Sequence, residues 1–286
     1  MSTNTPTAIL FPGQGSQREG MRETVETHCP ELLALAIELI GSDPYLQIKD
    51  GTAFQQPALY CASLAGWKAG GSPRAEFIAG HSLGELAAAA ASGAISAEDG
   101  LRLAVARGRA MQDAAEADPG GMLAVLGKAD GTSTLASSLG LTVANDNAPD
   151  QIVLSGPAEA IVEARRKFKE AGVRTVRLPV AGAFHSPAMV AAQPGFSAAL
   201  DQVEVRETDD TLLSSVTTLP FRDLRQGLLS ALTKPVRWRE TVIELRDLGV
   251  TRFFESGPGD VLTGLVNRTI EGVDAGPLVP VGTNNV

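Results

Sequence analysis

The chain has 286 residues, 44% of them hydrophobic and 20% charged, enough to bury one large core or a main domain with a smaller insert. Its net charge of −9 argues against non-specific nucleic-acid binding, and two cysteines in such a length point to a reducing compartment without a disulfide framework. No run reaches the ~18–20 apolar residues of a membrane span, and the N-terminus MSTNTPTAILFPG lacks the basic region of a leader, so a cytoplasmic protein that does not enter membranes is expected.

Ala8-Ile9-Leu10-Phe11 predicts a buried first strand that runs into the loop Pro12-Gly13-Gln14-Gly15-Ser16-Gln17. Helical spacing marks residues 31–40 and 56–69, the latter with Pro57 in its first turn. Phe77-Ile78-Ala79 can end a strand and Leu86 to Ala91 forms a helix, so Gly80-His81-Ser82-Leu83-Gly84 makes the turn between them. A helix over 97–116 follows. Beyond Asp118-Pro119-Gly120-Gly121 the elements shorten, with strands at 122–126, 141–144, 151–154 and 174–180 and helices at 132–140 and 157–171. Such a stretch fits a ferredoxin-like split βαβ unit. A helix at 238–247, a strand at 252–254, a Gly-Pro-Gly turn at 257–259 and a helix at 261–269 return to an α/β pattern with a mainly parallel sheet.

A G-x-S-x-G at a strand-to-helix turn is a nucleophile elbow, which makes Ser82 the candidate nucleophile. It needs a base, and the chain has three histidines. His28 lies in a polar stretch, and His81 adjoins the serine and must point away from it. His185, after a strand and among small residues, is the best candidate. Asp146 and Asp150 fall in the insert and Asp201 and Glu204 come after His185, so a Ser–His dyad is favoured over a triad. The glycine loop at 13–17 lacks the third glycine of a dinucleotide fingerprint, because Arg18 stands there. It reads better as a flexible, close-approaching backbone that sets the amide of Gln14 beside the active site, where such donors stabilise a tetrahedral oxyanion. Arg107 sits among Leu103, Ala106, Ala110 and Met111, a half-buried position where a guanidinium needs a carboxylate partner. Cys61, in an apolar run, reads as a buried small hydrophobe.

Seven blocks, FPGQGSQ at 11–17, GHSLGE at 80–85, RGRAMQ at 107–112, ANDN at 144–147, GAFHS at 182–186, PVRW at 235–238 and GPGDVLTGL at 257–265, together resemble the malonyl-CoA:acyl carrier protein transacylases. These include the acyltransferases of polyketide synthases. The resemblance implies an α/β-hydrolase-like large subdomain, residues 1–118 and 186–286, with a ferredoxin-like small subdomain at 119–185 and the site between them. It implies malonyl transfer from malonyl-CoA to a carrier's phosphopantetheine thiol, with no metal or redox cofactor, by a monomer. Ser82 would carry the malonyl ester and His185 act as base, then acid. The N–H groups of Leu83 and Gln14 would form the oxyanion hole, and Arg107 would hold the malonyl carboxylate. Phe184 would favour malonyl over methylmalonyl, and Gln56 and Asn147 match polar pocket positions.

Three departures stand out: Ala231 where the family often has glutamine, Asp260 where lysine is common, and a shortened stretch between 38 and 55. An acidic carrier needs a local basic patch on a chain of this charge. Arg165, Arg166, Lys167, Lys169, Arg174 and Arg177 are the candidates for it. A hydrolase that uses water as acceptor, or a docking module without chemistry, are the alternatives; Arg107 and the retained Ser82, His185 and Gln14 argue against them.

Overall fold

The structure is a computed structural model that describes residues 6–127 and 131–278. The first five residues, part of the segment read as lacking a leader, lie outside the described residues. From the N-terminus come β1 (Thr7–Phe11), α1 (Met21–His28), α2 (Pro30–Ile40), α3 (Thr52–Ala69), β2 (Phe77–Gly80), α4 (Gly84–Ala91) and α5 (Ala97–Ala117). The middle of the chain holds β3 (Gly120–Leu126), α6 (Thr132–Ser138), β4 (Thr142–Ala148), β5 (Gln151–Pro157), α7 (Ala158–Glu170) and β6 (Arg174–Arg177). A 3₁₀ turn at Pro187–Ala192 precedes α8 (Gln193–Leu200), β7 (Thr211–Leu213), α9 (Leu224–Ser230), α10 (Trp238–Asp247), β8 (Arg252–Glu255), α11 (Val261–Thr269) and β9 (Asp274–Pro277).

Four consecutive apolar residues need cover on both faces of a strand, and β1 finds it at the centre of a five-stranded parallel sheet of order β7-β2-β1-β8-β9. Ile9 and Phe11 face the core built with the helices α1 to α5, while Ala8 and Leu10 face Val242, Leu245, Leu262 and Leu265 of α10 and α11. The second sheet is antiparallel, of order β4-β5-β3-β6. With the sequence βαββαβ, this is the split βαβ arrangement that the short elements predicted. Leu123 and Val125 of β3 pack under α6 and α7, so Met122 and Ala124, on the alternate face, turn toward the parallel sheet.

The two sheets are stitched along one edge. Val236 donates to the Ala144 carbonyl and accepts from the Asp146 N–H, each at 2.9 Å, which adds one parallel bridge to β4. Beside it Arg239 donates twice to Asp146 Oδ2, at 2.7 and 3.1 Å, and Arg268 reaches Asp150 and Gln151.

The structure shifts several predicted boundaries. The helix expected from residue 56 begins at Thr52, so Pro57 lies inside α3 rather than in its first turn. The strand expected over 174–180 stops at Arg177, because Pro179 has no N–H for a ladder and Val180 turns back to donate to Leu178 O. Helices α1, α8 and α9 and the short strands β7 and β9 had not been predicted.

The elbow glycines leave no room for a side chain. A Cβ on Gly84 would stand 2.0 Å from the Phe11 carbonyl oxygen, and one on Gly80 would stand 2.1 Å from the Gly84 carbonyl carbon. Gly84→Ala should therefore lower the unfolding free energy by about 1–3 kcal/mol in a urea titration. Gly264→Ala, in an open position of α11, should cost nothing. Equal midpoints for the two variants would contradict the steric reading.

Candidate active site

Strand β2 ends at Gly80 and α4 begins at Gly84, so three residues reverse the chain. Ser82 takes φ +53°, a left-handed conformation that costs a non-glycine residue roughly 1–3 kcal/mol. The turn is pinned by His81 N–H to Phe11 O and Gly84 N–H to His81 O, both 2.9 Å. The serine Oγ is thereby presented at the start of a helix, where the dipole favours developing negative charge.

Two side chains converge on that oxygen. His185 Nε2 lies 2.8 Å away, and Arg107 Nη2 donates to it at 3.1 Å. The other ring nitrogen of His185, Nδ1, is 2.9 Å from Ala231 O and 3.1 Å from Lys234 O. Carbonyls only accept, so the proton sits on Nδ1 and the Nε2 lone pair receives the Ser82 hydroxyl. Ala231 thus supplies a main-chain acceptor in spite of its changed side chain, and Lys234 supplies a second that sequence reasoning missed. Burial, the Arg107 charge and His81 hold the His185 pKa down to about 3 against the pull of the two carbonyls. The imidazole is neutral, the form a general base needs.

Arg107 is 3% exposed on α5. Burial lowers its pKa to about 10, opposed by the charge of Glu85, so it remains a cation at neutral pH. Its Nη1 donates to Gln56 Oε1 at 2.8 Å, and no carboxylate among the described residues forms an ion pair with it. Gln56 is fully buried and does not itself line the cleft; besides accepting from Arg107 it donates to Thr52 Oγ1 and to the Met111 sulfur.

The backbone N–H groups of Leu83 and Gln14 have no hydrogen-bond partner among the described residues. The Gln14 side chain is occupied: its Nε2 donates to Gln55 Oε1 at 2.7 Å and its Oε1 accepts from Thr52. Gly13 brings this loop to the elbow, since a Cβ there would lie 2.6 Å from His81 O.

A cleft of about 340 Å³ between the two sheets opens over Ser82 and His185. Gln14 and Val261 line it from the large side, Met122 and Val153 from the small sheet, and buried Phe184 stands beside His185. Asn147 lines the cleft, with its Oδ1 accepting from His81 Nε2 at 2.9 Å. His81 thus turns away from the nucleophile, packed edge-on against Trp238. Asn145, two residues earlier on β4, shares this wall and had not been singled out. A strand carried on from 144 through Ala148, with Asn145 and Asn147 two residues apart, could have found it.

None of the six basic residues lines the cleft. Arg165, Arg166, Lys167 and Lys169 ride on α7, on the far side of the small sheet, where Arg166 pairs with Glu163 and Glu170 and Lys167 lies near Glu163. Arg174 opposes Leu126 across the β3–β6 ladder, so it shares the face of Ala124 at the open sheet edge. Arg177 opposes Leu123 and takes the other face. Asp260 is exposed beside Val261 at the cleft rim. The shortened stretch forms a turn-rich loop that touches the rim where Gln55 Nε2 donates to Ile48 O at 3.0 Å. Cys29 and Cys61 are buried, and burial raises both thiol pKa values. Among the described residues no helix is long and apolar enough to cross a membrane, and no cluster of three or more His, Cys, Asp or Glu could hold a metal ion.

Comparison with known proteins gives the chain a family. Residues 38–283 match the acyl transferase domain. The polyketide biosynthesis protein ThaF of Burkholderia thailandensis is 41% identical over 282 residues, 92% of this chain and 24% of that protein. The chain thus spans about a quarter of ThaF, and 14% of the polyketide synthase Pks15/1 of Mycobacterium marinum. The malonyl CoA-acyl carrier protein transacylase of Synechocystis is 35% identical over 92% of this chain and 93% of its own. The crystal structure of malonyl-CoA:acyl carrier protein transacylase from Xanthomonas oryzae superposes with a TM-score of 0.89 at 35% identity, covering 97% of this chain and 96% of that one. Two sheets of these orders, a matched domain over most of the length and full-length relatives above 30% identity place the chain in the acyl transferase family that contains the malonyl-CoA:acyl carrier protein transacylases.

Proposed function

We propose that the chain moves a malonyl group from malonyl-CoA to the phosphopantetheine thiol of an acyl carrier protein by a ping-pong exchange through an ester on Ser82. The observation that carries this reading is the buried Arg107 cation, 3.1 Å from Ser82 Oγ and without a carboxylate partner among the described residues. A guanidinium in that state favours an acyl group that brings its own carboxylate, and an acetyl group would leave it unmatched. The names of the full-length relatives support the same donor and acceptor.

In the first half-reaction His185 Nε2 takes the Ser82 proton as Oγ attacks the thioester carbon. The oxyanion is received by the Leu83 and Gln14 N–H groups. The C–S bond breaks, and the departing CoA sulfur takes the proton from His185. In the second, His185 removes the proton of the carrier thiol, the sulfur attacks the ester carbon, and Ser82 leaves with the proton restored. No metal or redox group enters either step. Phe184 narrows the space at the malonyl α-carbon. Residues 119–185 act as the small subdomain, closing on residues 1–118 and 186–286, and the protein works as a cytoplasmic monomer. Arg174 and Arg177, both exposed and free of ion pairs among the described residues, are the strongest members of the carrier-docking set; Arg165 and Lys169 share that state on α7, while Arg166 and Lys167 lie beside acidic neighbours.

Intact-protein mass spectrometry after brief exposure to malonyl-CoA should find one malonyl adduct, absent in Ser82→Ala and passed to added carrier. In Arg107→Ala the preference for malonyl over acetyl should fall by roughly 100-fold. Release of free malonate regardless of carrier would instead identify a hydrolase.

The neutral histidine sets the pH response. With its pKa near 3 in place of 6.5, His185 keeps its lone pair as pH falls from 8 to 5, so labelling of Ser82 by a neutral fluorophosphonate should stay within about threefold. Removing the cation in Arg107→Ala should move the acid limb to higher pH. A midpoint near 6.5 in the unaltered chain would contradict the assignment.

Reversing both edge charges in Arg174→Glu/Arg177→Glu should raise the KM for carrier roughly tenfold, and added salt should do the same to the unaltered chain. A KM that responds to neither would remove these residues from docking.

A further inference from the structure

Glu85 is a buried acid to which the exchange above gives no part. It is the second residue of α4 and 1% exposed. Its backbone N–H donates to the Ser82 carbonyl at 3.0 Å, so it grips the nucleophile's turn directly. Its side chain reaches the opposite way: Oε1 accepts from Ser215 N–H at 2.7 Å and from Ser215 Oγ at 2.8 Å. Ser215 is fully buried just beyond β7, and its carbonyl accepts from Arg237 N–H at 2.7 Å. Arg237 stands three residues after Lys234, whose carbonyl, with that of Ala231, holds His185 Nδ1. Between them Val236 carries the bridge to β4, the strand of Asn147 and hence of the His81 contact.

A buried carboxyl is costly unless bonded, and burial raises this one to about 7 even though the Ser215 bonds and the Arg107 charge pull it down. An apolar side chain would fill the space without that cost. We infer that Glu85 is a positioning residue, a bracket that fixes the nucleophile turn against the segment 231–237 and so sets the 2.8 Å contact between Ser82 and His185. The inference rests on the Ser82–His185 reading above. The two partners come from parts of the chain 103 residues apart, and a displacement of about 1 Å between such groups can cost up to ~100-fold in rate. The rival role is electrostatic, Glu85 acting on Arg107 through its charge. Glutamine separates the two, because its amide oxygen can still accept from Ser215 while its charge is gone.

The test is the rate of Ser82 labelling by a neutral fluorophosphonate, which needs neither malonyl-CoA nor carrier, combined with kcat and KM for malonyl-CoA and the thermal midpoint. Glu85→Ala should label at least tenfold more slowly and lose kcat with little change in KM, while Glu85→Gln should recover to within about threefold of the unaltered chain. Ser215→Ala, which keeps the carboxylate and removes one of its two donors, should slow labelling severalfold, and it decides the matter if Glu85→Ala does not fold. Labelling at the unaltered rate in Ser215→Ala or Glu85→Ala, a Gln variant as slow as the Ala variant, or a change confined to KM would each overturn the bracket. Failure of the unaltered chain to label at Ser82 would strike the nucleophile reading itself, which separates the two failures.

Discussion

Between β2 and α4 the backbone folds so close to itself at Gly80, and to the end of β1 at Gly84, that only hydrogen fits at either. Everything chemical in the molecule hangs on this contact. It forces Ser82 into a left-handed conformation and leaves the Leu83 N–H without a hydrogen-bond partner among the described residues. Gly13 makes the matching approach from the other side, against His81 O, and brings the Gln14 N–H within the same small volume. The buried β1, covered by helices on both faces, is the bed on which these two closely approaching segments meet.

Burial then governs the charges. The same exclusion of water that lowers the Arg107 pKa, though not far enough to discharge it, keeps His185 neutral, and the cation reinforces the effect on the imidazole. The resting site therefore holds one positive charge and one free base, a pairing suited to a substrate that is an anion at one end and an acyl thioester at the other. A carboxylate brought to Arg107 would relieve the repulsion on His185 and so strengthen the base.

The elbow and the small sheet were legible from residue spacing because each depends on local rules: glycines flanking a serine, apolar alternation in short strands, a basic helix between them. Arg107 was legible as a cation among apolar neighbours. The region from 187 to 230 was not read, and its elements explain why. Strand β7 is three residues long, α9 is seven, and the 3₁₀ turn has no 3.6-residue period. Strand β9, Asp-Ala-Gly-Pro, opposes every strand propensity and exists because β8 offers it an edge. Lys234 and Ser215 act through main-chain or short-range groups whose partners are distant in sequence, and no periodicity records such pairings. Glu85 stood inside a motif already noticed, yet a carboxylate in the first turn of a helix carries an ordinary surface explanation until burial is known.

The stitched edge of the small sheet sets its two margins apart. Strand β4 is fastened to the parallel-sheet half by the Val236 bridge and by Arg239 and Arg268, whereas β6 ends its sheet with no strand beyond it. The two margins of the cleft are therefore unequal. Asn147, which holds His81, stands on the strand fastened to the other half, while the exposed Arg174 stands on the edge strand, with no further strand paired to it among the described residues. Alignment of the elbow histidine and free surface charge thus fall on opposite margins of a single four-stranded sheet.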